Sequence, residues 1–77
     1  MNQNYIEIDF ALVKGYKKLS EPAKEVFQRV YKVHNSGQGL DYKKNWIPKS
    51  VKEYKTHLEV HFVNDQWLHY CPNGTWY

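Results

Sequence analysis

A change of hydrophobic period near the middle of the chain constrains the fold more than any other feature. Between residues 23 and 34, apolar side chains recur at the i, i+3, i+4 and i+7 spacing of an amphipathic helix. From Val51 onward the period is two, because residues 54, 56, 58, 60 and 62 are apolar or β-branched and alternate with polar ones. Helix-period sequence followed by strand-period sequence predicts an α+β fold.

Two N-terminal helices are predicted to pack on one face of the sheet. Ser20 is an N-cap candidate for a helix at about residues 21 to 34, whose apolar stripe includes His34. Asp9 is an N-cap candidate for a shorter helix at about residues 10 to 19. The 77 residues suit one small domain, residues 1 to 77, near the lower size at which a core holds without staples.

The rest of the chain predicts a loop over residues 35 to 50 and a three-stranded antiparallel meander. The strands are expected at about residues 52 to 63, 66 to 72 and 75 to 77, with turns at Asn64-Asp65 and Asn73-Gly74. Asn-Gly is the stronger of the two turn signals, since it favours a primed two-residue turn.

The loop length at Asn64-Asp65 decides which side chains lie outside the sheet, because a slip of one residue exchanges the two faces. A two-residue loop puts Trp67 and Cys71 in the core, with His69 half-buried beside them, and leaves outside His57, Glu59, His61, Leu68, Tyr70 and Tyr77. A three-residue loop puts Leu68, Tyr70 and Tyr77 in the core and leaves outside His57, His61, Trp67, His69, Cys71 and Trp76. We favour the two-residue loop, because it covers Trp67, Trp76 and the thiol of Cys71.

Charge and cysteine content indicate the setting of the protein. The net charge of the chain is +3, and all eleven Lys and Arg residues fall between residues 14 and 55. This concentration of positive charge favours an acidic partner. Cys71 is the only cysteine, and a single thiol suits the reducing cytoplasm. The sequence has no signal-peptide pattern and no apolar run of membrane-spanning length, so we expect a soluble protein without a membrane partner.

These patterns favour a small non-enzymatic binding or regulatory protein, in the manner of an inhibitor or of an accessory protein of a phage or mobile element. A protein partner is the first expectation, because aromatic side chains anchor protein interfaces. The candidate protein-binding residues are His57, His61, Tyr70 and Tyr77. Nucleic acid is the alternative partner, and its candidate residues are the basic and aromatic ones Lys43, Lys44, Trp46, Lys49, Lys52 and Lys55. Two copies of the chain are also expected to be able to pair through the edge of the short terminal strand.

A small ribonuclease is the second alternative, with Glu59, His61 and Tyr70 sharing a face for general acid-base chemistry. No metal or cofactor is expected, because His57 and His61 on one strand lie roughly 13 Å apart and cannot chelate one ion. The segment WLHYCPNGTWY resembles the aromatic hairpins of choline-binding wall repeats. It occurs once, whereas those sites are built from tandem copies, so the resemblance implies no site.

Overall fold

A computed structural model of the chain describes residues 4 to 39 and 42 to 77; residues 40 and 41 of the predicted loop lie outside the described residues. Three short 3-10 turns are formed by Phe10–Leu12, Tyr16–Lys18 and Lys43–Asn45. The regular elements are helix α1 (Glu21–Ser36) and the strands β1 (Pro48–Glu53), β2 (Leu58–Phe62) and β3 (Trp67–Tyr70). The strands form one antiparallel sheet in the order β1-β2-β3. The α+β prediction is therefore confirmed. Within the described residues, no helix is long and apolar enough to cross a bilayer.

Helix α1 starts where the sequence predicts and covers one face of the sheet. The Ser20 side chain accepts a hydrogen bond from the Ala23 backbone N–H, which satisfies one of the free donors of the first turn. The helix continues two residues past the predicted end, to Ser36. Its buried side chains are Ala23, Phe27, Val30, Tyr31, His34 and Asn35. The apolar ones form one core with the side chains of the inner face of the sheet, Val51, Leu58, Val60, Phe62 and Tyr70.

The predicted first helix is wrong. Two separate 3-10 turns occupy residues 10 to 18, with Gly15 between them at φ 90°. The chain bends there so that Lys14 exchanges backbone hydrogen bonds with Lys49 and Val51 along the outer edge of β1. A Cβ at residue 15 would overlap the Val51 carbonyl oxygen, so this close approach requires glycine.

The predicted strand at residues 52 to 63 is in fact two strands. β1 begins at Pro48, inside the expected loop, and a hairpin turn after Glu53 leads into β2. In this turn the Tyr54 N–H donates to the His57 carbonyl at 2.9 Å. Residues 54 to 57 contain no Gly, Pro, Asn or Asp, and their alternation continues that of β2. The usual turn signals are therefore missing.

The favoured register of the second hairpin is also wrong, because its loop has three residues. The Phe62 N–H donates to the Gln66 carbonyl at 2.9 Å, and Asp65 is left-handed at φ 68°. A turn followed by a left-handed residue is the usual form of a three-residue hairpin loop. The alternative register follows, with His61 opposite Trp67 and Leu58 opposite Tyr70.

The C-terminal hairpin departs from both predicted registers. Cys71 N–H donates to the Thr75 carbonyl, and Gly74 at φ 92° is the left-handed last residue of a second three-residue loop. Tyr70 then lies opposite Trp76, whose ring turns inward and sits 5.2 Å from that of His34. Tyr77 consequently lies on the opposite, outer side, where it pairs with His69.

One polar pair lies inside the core. The Nδ1 atom of His34 is 2.8 Å from the Tyr70 hydroxyl, and both side chains are buried. Burial lowers the pKa of His34 to about 4 and raises the pKa of Tyr70. We therefore assign the hydroxyl as donor to a neutral imidazole.

Candidate functional site

The face of the sheet that points away from α1 carries a group of rings together with two charged side chains. We call it the outer sheet face and define it by Lys52, Tyr54, His57, Glu59, His61, Trp67, His69 and Tyr77. These residues share one face because side chains alternate along each strand, and the inward residues 58, 60, 68 and 70 separate them.

His69 lies at the centre of the rings of the outer sheet face. Its ring centroid is 4.1 Å from that of His57, 5.2 Å from that of Trp67 and 4.8 Å from that of Tyr77. Tyr54 stacks on His57 at 5.1 Å with an interplanar angle of 17°. The contacts therefore form one continuous path of rings across the sheet, from the β1–β2 turn to the C-terminus.

The centre of the outer sheet face also carries an acid beside a base. Glu59 Oε1 is 3.1 Å from His61 Nε2, and the strand register places Glu59 between Lys52 and His69. The Lys52 ammonium lies 5.4 Å from the centre of the Tyr54 ring, within cation–π range. Among the described residues, the Nδ1 atom of His69 is buried without a hydrogen-bond partner.

A basic depression adjoins this face where the N-terminal segment crosses the edge of β1. We call it the lysine depression; it has a volume of about 470 Å³, and Lys14, Lys18 and Lys52 line it together with Glu59 and His61. Lys14 and Lys18 reach this position because the backbone at Lys14 bonds to β1 and Gly15 allows the bend. Three cations thus border one carboxylate that already contacts an imidazole.

Three of the four candidate protein-binding residues, His57, His61 and Tyr77, lie on the outer sheet face. The predicted placement of Tyr70 is wrong: it is buried on the inner face against α1. Trp67 and His69 were absent from the candidate set. A three-residue loop at residues 63 to 65 would have placed both of them outside, so the signal was present in the alternative register.

The candidate nucleic-acid residues do not form one strip. Lys43 donates to the carbonyls of Asn35, Ser36 and Gln38 at 2.9 to 3.1 Å, and so neutralises the C-terminal end of α1. Trp46 packs against His34 and Phe62. The other four are spread over separate sites: Lys49 pairs with Asp65, Lys52 is on the outer sheet face, and Lys44 and Lys55 are exposed.

Metal binding finds little support in the geometry, and the cavity beside the start of α1 is small for a ligand. In the part of the chain that the structure describes, no three His, Cys, Asp or Glu side chains converge as a metal site would require. A cavity between the start of α1 and the β1–β2 turn, lined by Pro22, Val26 and Tyr54 among others, has a volume of about 190 Å³. That is smaller than the roughly 300 to 1,000 Å³ typical of ligand pockets.

Comparison with known proteins gives no relative: no family model, curated protein or solved structure matches the chain. The outer sheet face is therefore the feature of the molecule that indicates its function.

Proposed function

We propose that the protein is a non-enzymatic binding protein that recognises a macromolecular partner through the outer sheet face. The observation that carries the proposal is the exposure of three large rings on one sheet face. Trp67, Tyr77 and Tyr54 keep 52%, 67% and 41% of their surface exposed while they contact the half-buried rings of His69 or His57. Exposed apolar groups gathered in one patch are typical of interaction sites, whereas scattered ones are ordinary.

The ring cluster is also held in place before binding. His69 contacts three neighbouring rings, and two backbone hydrogen bonds of 2.8 and 3.1 Å hold Tyr77 beside it. Rings with fixed positions lose little conformational entropy when a partner docks, which favours binding. A sheet surface with rings already ordered is therefore suited to recognition.

Aromatic anchors are typical of protein interfaces, and a protein is the partner class favoured by the sequence. The same rings also stack on unpaired bases, so they define the surface without selecting the partner. Pairing of two copies would use the edge formed by residues 75 to 77, since Lys14 already bonds to the edge of β1. A cytoplasmic setting accompanies the proposal because Cys71 is a free thiol.

Affinity capture from an extract of the cells that encode the protein tests the surface. The wild-type protein is compared with the double variant Trp67→Ala/Tyr77→Ala, and both protein and nucleic acid are identified in the eluate. The matched control, Leu12→Ala/Tyr42→Ala, removes residues that are 82% and 62% exposed elsewhere. We expect the first variant to lose the partner and the control to retain it; equal capture by all three folded proteins would refute the proposal.

A ribonuclease is a second candidate function, and the close contact between Glu59 and His61 favours it. A carboxylate and an imidazole beside a lysine supply the groups for general acid-base cleavage of RNA. The third expected member, Tyr70, is not available because it is buried on the inner face. Incubation of the protein with an RNA oligonucleotide tests this candidate: it requires cleavage that His61→Ala abolishes, and intact RNA or cleavage retained by the variant would eliminate it.

A further inference from the structure

We infer that the partner of the outer sheet face is a single-stranded nucleic acid whose phosphates bind in the lysine depression and whose bases stack on the exposed rings. The inference rests on the proposed function and adds the chemical class of the partner. His61 connects the exposed rings to the lysine depression. It lines the depression and also stacks on Trp67, with ring centroids 6.2 Å apart and an interplanar angle of 25°.

The charges around the face favour an anionic partner. Lys14, Lys18 and Lys52 line the depression with a single carboxylate, that of Glu59, and this carboxylate contacts His61. Three ammonium groups at one end of a surface attract a chain of phosphates, because each contact releases a condensed counterion. The positive charge lies beside the rings and leaves them free, since Trp67 and Tyr77 are more than half exposed.

The rings favour a single strand over a duplex. In a duplex the faces of the bases are covered by stacking, so that a flat protein surface contacts only phosphates and groove edges. Unpaired bases expose their faces, and each stack on an aromatic ring contributes to binding without regard to sequence. Trp67 and Tyr77 both contact His69, with ring centroids 5.2 and 4.8 Å from it, so the surface offers two exposed rings close together for stacking.

The size of the outer sheet face sets the number of nucleotides that we expect it to bind. Three strands and the C-terminal segment, spaced by about 4.8 Å, make a face that suits a short run of roughly four nucleotides. An affinity in the micromolar range at low salt is expected for so short a site, with a marked decrease as salt is added. The same chemistry is present in RNA and DNA, so both belong in the test.

Fluorescence anisotropy with labelled mixed-sequence oligonucleotides of about 12 nucleotides tests the inference. Single-stranded RNA, single-stranded DNA and the matching duplex are titrated at about 25 mM and about 200 mM salt. We expect one or both single strands to bind more tightly than the duplex, and we expect binding to weaken as salt increases.

Three variants locate the site. Trp67→Ala is expected to weaken binding about fivefold or more, and Lys14→Glu/Lys52→Glu is expected to weaken it about tenfold and to reduce its dependence on salt. Lys44→Glu is the charge control, because Lys44 is exposed in the turn that packs on the end of α1, and it should bind nearly as the wild type does. Circular dichroism confirms that each variant is folded.

The outcomes separate the inference from the proposed function. Absence of binding by folded wild-type protein at low salt overturns the nucleic-acid inference, and so does binding that Trp67→Ala leaves unchanged. If no oligonucleotide binds but Trp67→Ala/Tyr77→Ala still abolishes capture of a protein from the extract, the surface is correct and the partner is a protein. If neither assay responds to the ring variants, both the inference and the proposed function fail.

Discussion

Acid is expected to destabilise the protein through His34, which is buried in the core. Its Nδ1 atom lies 2.8 Å from the Tyr70 hydroxyl, and its ring is surrounded by Trp46, Phe62 and Trp76 at centroid distances of 5.2 to 5.5 Å. A charged imidazolium in this place would lose its water, and the hydrogen-bond partner of the ring among the described residues is a neutral hydroxyl. Burial therefore lowers the pKa of His34 to about 4, from an ordinary value of 6.5.

The direction and size of the effect follow from proton linkage. Between pH 6.5 and 4, the unfolded chain binds a proton at His34 that the folded protein does not bind, so the free energy of unfolding falls as the pH falls. The contribution is fully present above pH 6.5. At pH 4.5 the loss amounts to roughly 2 to 3 kcal/mol, and it approaches about 3 kcal/mol at lower pH. A small domain is expected to have only about 5 to 10 kcal/mol in total.

Urea denaturation followed by circular dichroism at about pH 7.5 and about pH 4.5 measures this loss. The comparison protein is His34→Leu/Tyr70→Phe, which removes the titrating ring together with its hydroxyl partner. Other histidines and the carboxylates remain in both proteins, so the difference between the two pH dependences isolates His34. The wild type should lose roughly 2 to 3 kcal/mol more than the variant. Equal losses in the two proteins would show that burial of His34 does not cause the acid sensitivity.

Three further predictions concern the elements that position the outer sheet face. Gly15→Ala should lower the free energy of unfolding by about 1 to 3 kcal/mol in urea denaturation, because φ is 90° and the new Cβ meets the Val51 carbonyl; an unchanged midpoint would contradict this. Ser20→Ala should cost about 1 kcal/mol through loss of the N-cap. In an NMR titration of that variant, the pKa of Glu53 should rise toward its ordinary value without reaching it, since the backbone N–H of Ser20, the larger cause of its low pKa, remains. Tyr77→Ala should change the free energy of unfolding by less than about 1 kcal/mol, because the side chain is 67% exposed; a larger loss in urea would show that the ring supports the fold.

The sequence predicts the helix well because its signals are local. The cap at Ser20 and the 3.6-residue period act within one turn, and they correctly placed His34 on the buried face. The helix predicted for residues 10 to 19 failed because a tertiary contact decides its conformation: Lys14 bonds to the edge of β1, and Gly15 bends to allow it. That edge is more than thirty residues away along the chain, beyond the reach of local patterns.

The lengths of two hairpin loops decide which side chains lie on the outer sheet face. Asp65 and Gly74 each adopt a left-handed conformation as the last residue of a three-residue loop, whereas the sequence favours a two-residue loop at both places. The preference assumed that tryptophans must be covered. Trp76 obeys this rule and Trp67 does not, and the exposed tryptophan is what marks the outer sheet face as a candidate binding surface.

Site-specific photo-cross-linking in the cells that encode the protein measures whether the partner touches the outer sheet face. A photoreactive phenylalanine replaces Tyr77 on the outer sheet face or, as a control of similar exposure, Tyr42; the two residues are 67% and 62% exposed. We expect a discrete cross-linked product from position 77 that Trp67→Ala weakens, and none of the same product from position 42. The same product from both positions, or a product from position 42 alone, would contradict the assignment of the outer sheet face as the binding surface.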